Sequence, residues 1–195
     1  MKKVLLLLAN GFESLEASVF TDVFGWNLFE GDGTTKLDSV GLHPKLSCTW
    51  GYQCIPMFQL SEICLDDYDA LVIPGGFEEA DFYTDAFDEQ FLTVIRDFDR
   101  KGKLIASICV AALSIGKSGV LTGRRGTTYT FGGSQRRQQL KEMGVILENK
   151  RIVQDENIIT SSSPETALDV AFMVLEQLTT NKNMLEVKRR MGFKK

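Results

Sequence analysis

The chain has 195 residues, 44% of them hydrophobic, and a formal net charge of −4. That length supports one compact domain with a sizeable core, residues 1–195, and the acidic balance gives no general case for nucleic acid as a partner. No apolar run reaches the length of a membrane span, and the one histidine, His43, all but excludes chemistry built on a His base or several His ligands.

Met1 to Ala9 has a basic start and an apolar run, but the run is short and stops at Asn10-Gly11-Phe12-Glu13 with no small-residue cleavage pattern. It reads as a first buried strand, Lys3 to Ala9, rather than a signal peptide. Asn10 to Ser14 is a turn. Ser14 is the expected N-cap of a helix from about Leu15 to Glu30, on which Leu15, Val19, Val23 and Trp26 recur at helical spacing. Glu16 falls in the first turn of that helix, beside the tip of strand one; an acid there also simply complements the helix dipole. Gly31-Asp32-Gly33 breaks the helix. Leu37 to Leu42 and Leu46 to Ile55 are strand-like, with His43 in an exposed turn between them and Pro56 ending the region.

Asp69 to Ile73 is the second clear strand and runs into Pro74-Gly75-Gly76. Two glycines after a strand let backbone approach a ligand and offer N–H groups to an anion, though they also suit a plain tight turn. Phe77 to Thr84 is an acidic, aromatic loop or short helix. Phe87 to Lys101 is a helix with Phe91, Val94, Ile95 and Phe98 on one face. Lys103 to Ile108 is then a short apolar strand, and Val110 to Ile115 a short buried helix stopped by Gly116 and Gly119, with Cys109 at the joint. A thiol under the first N–H groups of a helix is expected to have its pKa lowered, whereas a small buried hydrophobe is the other reading of such a cysteine. Thr127 to Phe131 is short and β-prone. Ser134 to Met143 is a helix, Val145 to Leu147 and Arg151 to Val153 are strands, and Ile158 to Thr160 returns from a turn as a hairpin. Ser163 as cap and Pro164 at the first position start a helix over Glu165 to Leu178. The last stretch, about 182–195, is a basic helix or tail, with Met184, Leu185, Val187 and Met191 docked and its charges solvated.

Alternating strands and helices give an α/β fold with a mostly parallel sheet covered on both faces. Ligands of such sheets sit outside the carboxyl ends of the strands. Glu16, Gly75-Gly76 and Cys109 each follow a different strand at that end. The other cysteines, Cys48, Cys54 and Cys64, form no CxxC pair, so neither zinc nor a disulfide framework is indicated and free thiols in a reducing cytoplasm are the default.

Asn10-Gly11-Phe12-Glu13-Ser14-Leu15-Glu16-Ala17, the strand with Pro74-Gly75-Gly76, Ala106-Ser107-Ile108-Cys109, and Ile159-Thr160-Ser161 with the Pro164 helix start together resemble the ThiJ/PfpI superfamily, closest to its DJ-one branch, over nearly the whole chain. The resemblance implies a flavodoxin-like three-layer α/β sandwich, usually homodimeric. It implies a nucleophilic cysteine on a strand-to-helix elbow, here Cys109, hydrogen-bonded by an acid from the first helix, here Glu16. It also implies an anion pocket of backbone N–H groups at Gly75, Gly76 and Val110. Where members of the branch often carry Thr-Thr-His near the cysteine, this chain has Thr127-Thr128-Tyr129; a tyrosine hydrogen-bonds but is a poor base at neutral pH. Val110-Ala111-Ala112 after the cysteine lacks the adjacent histidine of the peptidase-like members. The implied activity is that of a cofactor-free, metal-free, cysteine-dependent glyoxalase or deglycase acting on small α-oxoaldehydes or their protein adducts, with an oxidative-stress role. The alternative is a redox-sensing or chaperone-like stress protein that uses Cys109 oxidation without significant turnover. The implied partners are a small aldehyde or glycated substrate and a second copy of the chain, with no nucleic acid and no membrane.

Overall fold

The computed structural model describes residues 1–133 and 135–193. The strands are β1 (Lys2–Leu8), β2 (Thr35–Gly41), β3 (Leu46–Ser47), β4 (Gln53–Cys54), β5 (Phe58–Gln59), β6 (Ala70–Ile73), β7 (Leu104–Ser107), β8 (Arg125–Gly126), β9 (Ile146–Leu147), β10 (Ile152–Asp155) and β11 (Ile158–Ser161). Seven of them form the central sheet in the order β10-β11-β7-β6-β1-β2-β5. All neighbours run parallel except the β10–β11 hairpin. The cause is legible in β1 and β6. Val4 to Leu8 and Ala70 to Ile73 are buried at every position, so both faces of these strands need a helical cover.

That cover comes from α1 (Ser14–Glu30), α2 (Phe82–Ala86), α3 (Glu89–Arg100), α4 (Ala112–Ser118), α5 (Arg136–Glu142), α6 (Ala167–Leu178) and α7 (Asn181–Arg190). Helices α1, α6 and α7 pack on one another as one layer, and α3, α4 and α5 form a second group. The result is the flavodoxin-like α/β architecture. The chain lays β2 on one side of β1 and β6 on the other. The crevice where it reverses therefore opens at the carboxyl ends of β1 and β6.

Several expectations are corrected. The cap of α1 is Glu13, whose side chain accepts the Glu16 N–H, and Ser14 is the first helical residue; a longer acid reaches the same donors and adds a charge that complements the dipole. Leu15 and Trp26 lie on the exposed face of α1, while Val19, Phe20, Val23 and Phe24 are its buried side. Thr127 to Phe131 is not a strand; pairing stops at Gly126, where β8 meets β9. The helix expected from Ser134 begins at Arg136, and Ser134 itself lies outside the described residues. Ser163 makes no side-chain cap bond; a short 3₁₀ turn at Pro164–Thr166 leads into α6 instead. In α7, Val187 is fully buried and Leu185 is exposed, so the docked stripe is narrower than the apolar pattern. His43 is exposed as expected, with its Nε2 2.9 Å from Asp85 Oδ1. No helix among the described residues is long and apolar enough to cross a membrane.

Candidate active site

Strands β7, β6 and β1 are consecutive in the sheet, so the segments leaving their carboxyl ends are brought together. From β7 comes the elbow. Cys109 has φ +55°, a left-handed conformation that costs a residue with a Cβ on the order of 1 kcal/mol or more. The neighbours hold it there. The Ile108 N–H donates to the Ile73 carbonyl at 3.1 Å and the Ala111 N–H to the Ile108 carbonyl at 3.0 Å. Thr128 Oγ1 donates to the Cys109 carbonyl at 3.0 Å, and the Thr127 N–H donates to Thr160 Oγ1 at 2.9 Å. In the β-prone segment after β8, Thr128 thus bonds to the elbow while Thr127 ties the segment to β11.

From β1 comes α1 with Glu16, 1% exposed. Its Oε2 accepts the Gly75 N–H at 2.6 Å, while its Oε1 is buried without a fixed hydrogen-bond partner. The Cys109 thiol lies against this carboxyl, and each group perturbs the other. Burial, with the Glu13 charge adding to it, pushes the Glu16 pKa up to about 8 against the Gly75 N–H. The lowered thiol pKa expected from the helix start is overturned. Cys109 is 8% exposed, and burial and then the Glu16 charge raise it, with the Val110 N–H pulling the other way. Desolvation on this scale outweighs the partial charges at the end of a short helix. Sulfur and carboxyl are therefore one coupled acid. Its one-proton state includes the thiolate beside a protonated Glu16, which needs no separately ionised cysteine.

From β6 comes the Gly75-Gly76 turn. Gly75 is committed to Glu16 rather than open to a ligand, and a Cβ there would stand 3.0 Å from Glu16 Oε2 and 3.1 Å from the Ile108 carbonyl oxygen. Gly76 fronts a cavity of about 280 Å³ whose other walls include Phe77, Cys109, Val110, Tyr129 and Arg136. At Gly76 a Cβ would overlap the Gly11 carbonyl oxygen and the Phe82 ring. Neither is a flexible chain end, so Gly76→Ala is expected to cost about 3 kcal/mol, the upper end of overpacking. Urea unfolding measures it, and a midpoint equal to the wild type would contradict this packing.

Cys109, Glu16, Gly75, Gly76, Val110 and Tyr129 thus come to one place. Tyr129 is half-buried, with its ring centroid 5.8 Å from that of Phe131. His43 is engaged with Asp85 and is not among the residues around the cavity. Sequence reasoning missed Glu13 and Arg136. Glu13 caps α1, accepts the Trp50 indole N–H at 2.8 Å and adds negative charge near both reacting groups. Its spacing of three residues ahead of Glu16 was the available signal. Nothing in the sequence marked Arg136, because its place depends on where α5 lands. Among the described residues no three His, Cys, Asp or Glu side chains converge as a metal ligand set.

The model of the DJ-1/PfpI family matches residues 2–177. Protein DJ-1alpha of Drosophila melanogaster is 32% identical, over 97% of this chain and 83% of its own length. A protein named a deglycase from Thermococcus kodakarensis is 29% identical, over 83% of this chain and 90% of its own. The crystal structure of Drosophila melanogaster DJ-1beta superposes with a TM-score of 0.86 at 27% identity, covering 100% of this chain and 99% of that one.

Proposed function

The chain belongs to the DJ-1/PfpI family, and from that premise we propose that it is a cofactor-free, cysteine-dependent glyoxalase or deglycase acting on small 2-oxoaldehydes or their protein adducts. One observation carries the reading: a strained Cys109 at the wall of an open cavity, with a buried Glu16 at its sulfur that keeps its proton up to about pH 8.

The chemistry follows from that pair. The thiolate form adds to the aldehyde carbon; the S–C bond forms, the carbonyl π pair moves to oxygen, and Glu16 supplies the proton. Glu16, now a carboxylate, takes the C–H proton of the hemithioacetal and passes it on through an enediol to the neighbouring carbon. The aldehyde carbon is oxidised to a thioester while the ketone is reduced to an alcohol, so no external oxidant is needed. Water then cleaves the thioester, releasing a 2-hydroxy acid and the thiol. The Val110 and Gly76 backbones border the position of the developing oxyanion. Tyr129 acts as a hydrogen-bonding wall, not as the base. The test is lactate formation from methylglyoxal by the wild-type chain, read against Cys109→Ala.

The same reading makes the protein a homodimer. Support comes from Trp26 and Phe29 on the outer face of α1, 40% and 84% exposed and lining one shallow groove, which a second copy would cover. Sedimentation at micromolar concentration should give twice the 21.8 kDa chain mass; a single species at the chain mass contradicts it.

A further inference from the structure

A cationic side chain fronts the same cavity as the reacting sulfur. Arg136, the first residue of α5, shares the cavity wall with Cys109, Val110 and Tyr129. Its guanidinium carbon lies 4.9 Å from the centroid of the Tyr83 ring, and Nη1 donates to Gln139 Oε1 at 3.0 Å. Both supports are built into the fold. The Tyr83 ring packs against Phe82 and Phe87 with centroids 5.3 and 4.9 Å away, and Gln139 is one turn along the same helix. The pair with Glu78 is different. Nη2 donates to Glu78 Oε2 at 2.6 Å, but the Glu78 side chain is 66% exposed, on a short 3₁₀ turn (Glu78–Ala80) at the rim. Arg136 is the sheltered partner at 21% exposure, so it is the solvated Glu78 end of the pair that is loosely held. A carboxylate that arrives with a substrate can take the place of Glu78 without losing a charge pairing. The other rim acid, Glu79, is exposed and screened by water.

We infer that Arg136 is the specificity-determining residue of this site, and that it selects 2-oxoaldehydes carrying a carboxylate a few bonds beyond the ketone. The aldehyde meets Cys109 while the carboxylate meets the guanidinium fork. A planar fork held by a ring face and an amide is pre-organised for bidentate carboxylate binding. The cavity of about 280 Å³ has room for a small dioxo acid. This rests on the cysteine chemistry proposed above, and deepens it by naming the substrate class.

The test compares 4,5-dioxopentanoate with its methyl ester. Arg136→Gln should lower kcat/KM for the acid about 30-fold or more, chiefly through KM, and change the ester less than about threefold. Glu78→Gln, which removes the competing carboxylate, should raise kcat/KM for the acid. Equal losses on acid and ester, or none on either, overturn the inference. A second readout does not depend on turnover: alkylation of Cys109 by iodoacetate and by iodoacetamide, followed by the mass of the Cys109 peptide. Arg136→Gln should lower the iodoacetate-to-iodoacetamide rate ratio about tenfold; an unchanged ratio overturns the carboxylate site. If that ratio responds while the wild-type chain turns over neither compound, the glyoxalase reading fails and the carboxylate site stands.

Discussion

A Cys109→Ala chain is expected to form lactate from methylglyoxal about 10³-fold more slowly than the wild type, or not measurably at all. The sulfur is the atom to which the aldehyde carbon bonds, and among the described residues Cys109 is the one thiol in the cavity wall, beside Gly76, Val110, aromatic rings, carboxylates, a guanidinium and a proline. Glu16 cannot replace it, because burial keeps that carboxyl protonated up to about pH 8 and Gly75 holds its other oxygen. The substitution is structurally quiet. Alanine keeps a Cβ at the φ +55° position, so the elbow's strain is unchanged. The bonds that hold the elbow, to Ile73, Thr128 and between Ile108 and Ala111, all use backbone or Thr128 atoms. Stability should therefore stay within about 1 kcal/mol. Product formation, rather than methylglyoxal loss, is the measurement, because surface lysines and arginines consume the aldehyde without making lactate. Lactate at the wild-type rate from the alanine chain would sink the proposed chemistry.

The elements that carry the site were legible because their causes are local. Apolar runs such as Val4 to Leu8 and Ala70 to Ile73, short and closed by turn residues, read as buried strands, and the segments after them then face the ligand end of the sheet. What chain order does not contain is which strands become neighbours. The contact between Glu16 and Cys109 exists because β1, β6 and β7 are adjacent, with Gly75 small enough to let carboxyl and elbow meet across it. The segment after β8 shows the limit of propensity. Thr127 and Thr128 favour a strand by type, yet they are fully buried, Thr127 bonded through its N–H to Thr160 and Thr128 through its hydroxyl to the Cys109 carbonyl, partners that only the assembled fold supplies. The expected fall in the thiol pKa failed for a related reason. Local sequence shows the helix start beside Cys109 but not the depth of burial, and burial is the larger effect.

Glu16→Gln is expected to reduce lactate formation about 10²- to 10⁴-fold, the usual worth of a positioned acid–base group, and to change the pH dependence in a way that packing alone does not. The reactive state, thiolate beside carboxylic acid, holds one proton. Its population rises with pH until the coupled pair has given up its first proton, near pH 8, and is then constant. Cys109 alkylation in the wild type should accordingly rise and level off around pH 8. With glutamine the thiol titrates alone in a buried site whose effect is to raise its pKa, so the rate should go on rising past pH 8 where the wild type is flat. A variant profile that levels off at or below the wild-type midpoint would show that Glu16 does not share the proton. Stability supplies an independent reading of the same group. Its folded pKa of about 8 lies above the 4.5 of the free side chain. The protonated carboxyl's stabilising contribution is therefore fully present below pH 4.5 and is lost as pH rises towards 8, because the fold binds a proton that the unfolded chain has released. The wild-type midpoint of thermal unfolding should fall across that window relative to Glu16→Gln, which has no such proton to lose. Parallel curves for the two chains would mean that Glu16 is already ionised in the fold, and the acid–base role assigned to it would go with that.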